Sequence, residues 1–578
     1  MSTLQHLVRA DARRFLLLIA VWIVVVIAAA VLAGVDPLVG RNTELRPVFG
    51  LGMLLTSLAG FALVVTLIAL VVQQHPLVGS DAWWMTRPVA PRTLLSSRLV
   101  LIGLLVVAVP AICDAVLMAF YRVPVGQMGR VTLEWALLRG VGMLLVMAAA
   151  SLTKTFARFV LLVGACLIGA AVAVNLALLL AISEAKSYFS SASSDFAAAV
   201  VSRPVDPTAL VAAWTVLAMA GLALLLSQYA TRSRLRSVPI GVAGAMLALV
   251  VGVAWPWPLL HARSDLSKWA TSTDVLRLEA PPQAVFFDNA GLQIGDVASG
   301  YFPRWRTAHV RMYARGVPDG WVVTGHVADA SLHVDGRHLR GGPVHFTRML
   351  PASPTDASPI RRALQHVLGV DVVAGSGITG AGLTPILTVA STEVPAGPAA
   401  ADYRGEFVLN AMQLQEAGVL PLRSGAVLQD GSYRIVLDEV RSPERGPVLA
   451  IRASRATSAF DRRALPRYTF YLRNRRTSEA VAGTTRESPS FQSLPGEFFL
   501  GRYGYLASPY GFVAQPAELL FPSTFSAQLP SAMAKEPGGE WTDDAWLRDA
   551  ELVVVKTVDG GSVTRRIEIS GLTINPAP

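Results

Sequence analysis

Seven apolar runs in the first half of the chain, each long enough to cross a bilayer, constrain its fold more than any other feature. A spanning helix needs about 20 apolar residues, because hydrocarbon offers no partner to open backbone N–H and C=O groups. The runs cover residues 15–34, 48–72, 99–120, 133–152, 159–182, 208–229 and 239–255. They predict a polytopic α-helical bundle of about seven spans. Arg9, Arg13 and Arg14 precede the first run and Ala28 to Ala30 imitate a cleavage site, but its length and the spans that follow favour a retained helix.

After residue 257 the pattern becomes alternating apolar and polar residues broken by Gly, Pro and Asp, as short antiparallel strands require. TAHVRMYARG, GWVVTGHVADASLHVDG, YRGEFVLNAM, GSYRIVLDEV, VLAIRASRA and RYTFYLRNRR are the clearest strands, and a helical turn is expected over 360–368. Leu552 to Val558 and Val563 to Ile569 read as a hairpin turning at Asp559-Gly560-Gly561. Pro and Gly clusters near 351–359 and 395–398 place a break near residue 400. The expected organisation is an amphipathic helix over 1–14, a transmembrane domain over 15–257, and a mostly β, sandwich-like domain in two units, 258–400 and 401–578.

Charge sorts between the halves. Residues 1–261 carry 18 Lys and Arg against 9 Asp and Glu, whereas the rest carries 32 against 31. The basic excess thus belongs to loops between apolar runs and forms no nucleic-acid-binding face, so nucleic acid is not an expected partner. Arg9, Arg13, Arg14, Arg87, Arg92, Arg98, Lys154, Arg158, Arg232, Arg234 and Arg236 all fall on the side shared by the N-terminus. Basic loops stay cytoplasmic. The expected address is therefore the plasma (inner) membrane, N-terminus inside, with the β domain extracytoplasmic and Trp255 and Trp257 as interfacial anchors. Cys113 and Cys166 both lie inside apolar runs, which excludes a disulfide framework and a cysteine zinc site.

The longest connection on the basic side, HPLVGSDAWWMTRPVAPRTLLSSRL over 75–99, carries a resemblance. Asp81, the pair Trp83 and Trp84, the Arg87-Pro88 step, Arg92, and a short Leu94-Leu95 helix running to Arg98 resemble the corresponding loop of ABC-2 type transporter permeases. The likeness covers roughly residues 1–230. It implies a membrane subunit that pairs with itself or a homologue, and a coupling helix near 80–97 that docks on a separate ATP-binding subunit. The tryptophans suit contact anchors and the arginines suit pairing with acidic groups; a headgroup-binding basic loop is the plainer reading of the same residues. Residues 1–14, with Leu4, Leu7, Val8 and Phe15 at helical spacing, read either as an amphipathic helix on the inner leaflet or as a basic flank. The polar stretch EAKSYFSSASSDFAAAVVSRP reads as a re-entrant segment, as in those permeases, or as a plain loop. A seventh span and a large outer domain depart from the six-span pattern of the family.

Of the polar residues within the runs, Asp114, Arg139 and Asn175 lie where a partner on another helix is needed. Asp114 and Arg139 sit about six residues from the same end of adjacent spans, so at 1.5 Å per residue they reach similar depth and are expected to pair. Asn175 in the fifth run reads as an interhelical hydrogen bond.

No G-x-x-x-x-G-K-[ST], G-x-S-x-G or H-E-x-x-H occurs, so the chain is not expected to be an enzyme, and ATP hydrolysis would fall to a partner. No cofactor or metal is expected. His326, His333, His338 and His345 have no usual ligand spacing, and Arg473, Arg475 and Arg476 read as an exposed basic strand face. Two functions follow: a permease-like subunit of an ABC-2 transporter, or a membrane-anchored extracytoplasmic binding or sensing protein.

Overall fold

The computed structural model describes residues 3–39, 46–74, 90–165, 207–231 and 234–254 of the helical half. Beyond it the description covers 276–281, 284–289, 305–341, 344–346, 349–374 less 354–357, 383–456 with gaps at 391, 396, 432 and 442–446, then 467–485, 512–521 and 544–575.

The helices are α1 (Thr3–Arg14), α2 (Leu16–Val39), α3 (Arg46–Gln73), α4 (Pro91–Gly103), a π turn (Leu104–Ala108), α5 (Val109–Phe120), α6 (Val125–Ser151), α7 (Phe156–Ala165), α8 (Pro207–Thr231) and α9 (Arg234–Ala254). Among the described residues four stretches are long and apolar enough to cross a membrane: Leu54–Gln73, Pro91–Phe120, Val125–Ser151 and Val211–Thr231. A fifth is added if α1 and Leu16–Leu32, bent by 76° at their junction, count as one. The chain is thus a membrane protein with four or five such helices shown where seven were expected. Most of the run 159–182, with Asn175, and Trp255 and Trp257 lie outside the described residues.

The third span begins with Pro91 in its first turn, where the missing N–H costs nothing. Farther along, Pro110 cannot donate to the preceding turn and its ring crowds the carbonyl four residues back. The backbone relieves this by widening into the π turn just before it. α8 and α9 form a close antiparallel pair made possible by small residues: a Cβ on Gly244 would overlap that of Ala220, and one on Gly241 would come within 2.9 Å of Leu224.

The second half is mostly β: β1 (Arg277–Glu279), β2 (Ala284–Asn289), β3 (Trp305–Arg311), β4 (Tyr313–Arg315), β5 (Trp321–Val334), β6 (Arg337–Gly341), β7 (Val344–Phe346), β8 (Asp371–Ala374), β9 (Leu383–Ala390), β10 (Ala399–Pro421), β11 (Ala426–Asp430), β12 (Tyr433–Arg441), β13 (Val448–Ala456), β14 (Arg467–Asn474), β15 (Glu479–Ala482), β16 (Thr484–Thr485), β17 (Phe512–Leu520) and β18 (Ala550–Asn575). The largest sheet runs β6-β5-β10-β18-β14-β15-β8, with β2, β3, β7 and β9 joined at its side; a second runs β11-β12-β13-β17-β16.

β10 and β18 are the spine. They pair antiparallel from Ala399 opposite Ile574 to Pro421 opposite Glu551, passing through both cores of the domain. One core gathers β2, β3, β5 and β9 with the far ends of the spine, around Phe407, Leu409 and Leu572. The other lies between the two sheets, where Leu552 and Val554 of β18 meet Tyr468, Phe470 and Leu472 of β14 and Ile435 and Ile451 of the smaller sheet. Val553 and Val555, pointing the opposite way, meet α10 (Pro359–Leu368). Burial on both faces is why this strand reads as a continuous apolar run. The expected helical turn over 360–368 is present as α10, capped by Ser358 at one end and by Gly369 at φ 67° at the other.

Three expectations are corrected. The supposed hairpin at Asp559-Gly560-Gly561 is absent, because β18 runs straight through with a register shift opposite Asn410 and Met412. Gly560 is glycine because the Trp321 ring lies where its Cβ would be. The break expected near residue 400 falls where β10 begins, and β10 pairs with β5 on one side and β18 on the other, so one sheet unites both sides. Finally, Arg473 is buried while Arg475 and Arg476 are exposed. Register with Glu551 turns its side chain inward, toward α10. There its Nε donates to Glu551 at 2.8 Å, and its Nη1 donates to Glu416 and to the Leu368 carbonyl, each at 3.0 Å.

Ala456 at the end of β13 packs with Leu117, Met118, Tyr121, Val123 and Val131. The β domain therefore sits on the Phe120 end of the helices, opposite the end that bears Arg98 and Gln73.

Candidate functional site: two polar centres in the helical bundle

The first centre closes the arginine-bearing end. Arg98 is fully buried and its Nη1 donates to the Tyr229 hydroxyl at 2.6 Å, tying α4 to α8. Its Nε and Nη2 find no acceptor among the described residues. Asp11 of α1, also buried, supplies the nearby negative charge. With its amide oriented to suit its neighbours, Gln74 donates to Asp11 Oδ1 at 3.1 Å and accepts from Arg14 at 2.8 Å. Around this cluster, Gln73 donates to Thr153 at 2.7 Å and Ser237 to Gln228 at 2.8 Å. α1, α3, α4, α6, α8 and α9 thus share one polar layer.

Sequence reasoning placed Arg98 on a partner-docking loop; it is instead sealed inside the bundle and is corrected to a residue that ties helices together. Leu94 and Leu95 belong to α4, which is continuous with the third span rather than a separate short helix. Arg92 is exposed one residue into that helix. Asp81, Trp83, Trp84, Arg87 and Pro88 lie outside the described residues. Tyr229 and Asp11 escaped sequence reasoning, although a lone acid in the basic segment 1–14 was the available signal for the latter.

The second centre lies deep in the bundle. Arg139 of α6 donates through Nη1 to Asp114 Oδ2 of α5 at 2.7 Å; Asp114 is fully buried and the Arg139 side chain is 15 % exposed. The Trp135 ring lies 5.9 Å from the guanidinium carbon, one turn before it on the same helix. Beside the pair, a cleft of about 310 Å³ runs between α2, α3, the π turn, α5 and α6, with Arg139 and Trp22 on its wall.

In the β domain, strand register sets His326 opposite His345 and His333 opposite His338, the latter pair with ring centres 4.5 Å apart. Among the described residues no group of three or more His, Cys, Asp or Glu side chains is placed to hold a metal ion.

Comparison with protein-family models, curated proteins and solved structures found no match.

Proposed function

We propose that the chain is a permease-like membrane subunit of an ABC-2 type transporter, crossing the plasma (inner) membrane seven times and driven by a separate ATP-binding subunit. It works as a homodimer or with a homologous permease, and its β domain stands outside the cytoplasm. The observation that carries this reading is the buried layer around Arg98. It ties α1 and the helix that follows segment 75–89 to α8 through buried contacts, which supports a path for force from the start of α4 into the bundle. A chain without a P-loop needs such a surface to receive work done elsewhere.

The test replaces Trp83 and Trp84 by Ala in the full chain. Membrane insertion is expected to persist while copurification of the ATPase, or stimulation of its turnover, falls at least tenfold. Unchanged copurification and unchanged stimulation would defeat this reading and favour a membrane-anchored binding protein. Reporters active only in the cytoplasm, fused near residue 233 and after residue 578, test the seven crossings: the first is expected to be active and the second silent.

A further inference from the structure

Where the β domain meets the helices, three arginines gather around one carboxylate. Tyr433, Ile435 and Leu437 of β12 and Ile451 and Ala453 of β13 point into the core between the sheets. Strand alternation therefore turns Arg434, Arg452, Ser454 and Ala456 to the opposite face. Ala456 packs there in one cluster with Tyr121 and Val123, the residues on either side of Arg122 just past the third span. Register sets Arg434 opposite Ser454, two residues or about 7 Å before Ala456 along β13. Arg122 and Arg434 are thus brought to one place, close enough for Arg122 to act on the charge of Arg434.

Their charge is not balanced within the protein. Arg452 donates to Asp438 at 3.0 Å, and Asp438 is the one carboxylate that acts on Arg434. Among the described residues the Arg122 and Arg434 side chains have no hydrogen-bond or ion-pair partner. Burial, then the like charges of Arg122 and Arg452, hold Arg434 below the ordinary arginine value. Three guanidiniums against one carboxylate leave two positive charges for an anion to meet.

The position of the cluster identifies the anion. Phe120 ends the apolar stretch Pro91–Phe120, so Arg122 lies at the edge of the hydrocarbon. On the same helix Ile112, Val116 and Phe120, four residues apart, form a stripe whose members are 63 %, 63 % and 68 % exposed. The stripe is about 12 Å long, most of the depth of one leaflet. An acyl chain lying on it puts its phosphate at the level of Arg122. A guanidinium fork matches phosphate oxygens, and a site with net positive charge favours a headgroup that carries no cation of its own.

We infer that Arg122 and Arg434, with Arg452 adding its charge, bind the phosphate of one anionic glycerophospholipid in the leaflet on the β-domain side. Its acyl chain lies along Ile112, Val116 and Phe120. This does not rest on the chain being a transporter subunit.

The experiment titrates the full chain in detergent with phosphatidylglycerol, counts bound lipid by native mass spectrometry and follows the melting temperature. The wild type is expected to hold one phosphatidylglycerol more tightly than any other. Arg122→Asn/Arg434→Gln is expected to bind that lipid at least fivefold more weakly; asparagine suits the backbone at residue 122, where φ is 55°. Arg337→Gln, which removes an exposed arginine on β6 of the other sheet, is expected to leave the affinity unchanged. Gln429→Glu keeps the test sound should the double variant fail to fold. Exposed Gln429 lies across from Arg434 on β11, so a carboxylate there supplies the missing counter-charge from within. It is expected to raise the melting temperature in lipid-free detergent and to weaken phosphatidylglycerol binding at least threefold. Wild-type affinity in either cluster variant, or a loss in Arg337→Gln equal to theirs, would overturn the inference. So would phosphatidylcholine binding as tightly as phosphatidylglycerol, or inorganic phosphate stabilising the chain as much as the lipid does.

Discussion

Arg139 reaches from α6 to α5 and places its Nη1 2.7 Å from Oδ2 of the fully buried Asp114, closing a charge pair between two neighbouring helices. Removing one partner strands the other, which typically costs about 3–5 kcal/mol, whereas replacing both is often near neutral. Asp114→Asn and Arg139→Gln are each expected to lower the melting temperature in detergent and the steady-state abundance, and the double variant to recover most of both. Additive losses in the double-mutant cycle would remove the pair from the account.

Arg473 makes the same kind of prediction in the β domain. It is held between Glu416 and Glu551 and caps the Leu368 carbonyl at the end of α10. Arg473→Met is expected to destabilise the β domain by about 1–3 kcal/mol, because the Leu368 carbonyl and Glu416 lose their donor, while Glu551 keeps Arg475. Arg475→Met, on an exposed side chain, is expected to cost under about 1 kcal/mol. Denaturant unfolding of the full chain, followed by β-domain fluorescence, distinguishes the two.

Close packing of α8 on α9 leaves no room for a methyl group at Gly244. Gly244→Ala improves helix propensity by roughly 1 kcal/mol in isolation. It is nonetheless expected to reduce stability, because the clash is with a backbone-anchored Cβ that cannot rotate away. A Gly244→Ala variant as stable as the wild type in a detergent melt would show that the helices separate at little cost.

Acid sensitivity has an identifiable contributor at the start of β8. Burial raises the Asp371 carboxyl, but hydrogen bonds from Arg361 and Gln365 outweigh it and hold the group below the ordinary aspartate value. The stabilisation is therefore complete above the ordinary range and is lost as pH falls through the lowered value. Both partners are about half exposed, so screening keeps the effect under about 1 kcal/mol. Asp371→Asn is expected to lower the melting temperature slightly at pH 7, and the difference from the wild type is expected to shrink as pH falls below the ordinary aspartate value and to vanish below the lowered one.

What could be read from the sequence follows the range of each signal. Apolar runs and strand alternation are local, so the helices around Leu67 and Met147 and the strands around Val323 and Ile435 lie where their patterns put them. Depth along two neighbouring helices sufficed to bring Asp114 to Arg139. Arg473 was misplaced because its burial depends on Glu416 and Glu551, residues far away in sequence whose register no local pattern encodes. Asp559-Gly560-Gly561 imitates a hairpin turn because glycine also serves where another side chain, here Trp321, crosses a strand. Arg98 was assigned to a surface because basic residues beside apolar runs usually mark one, and nothing nearby signals Tyr229 more than a hundred residues later.

The spine of the β domain sets the tempo at which that domain can form. Ala399 pairs with Ile574 and Pro421 with Glu551, so each rung joins positions 130 to 175 residues apart. β10 has no neighbour on that side until β18 arrives, and until then 23 residues of strand edge stand open. Contacts this distant make folding slow, and an open edge is a template for pairing with another copy. Cells making this protein thus have an interval in which the domain is vulnerable to aggregation, and its length is governed by how soon the later strand is delivered alongside the earlier one.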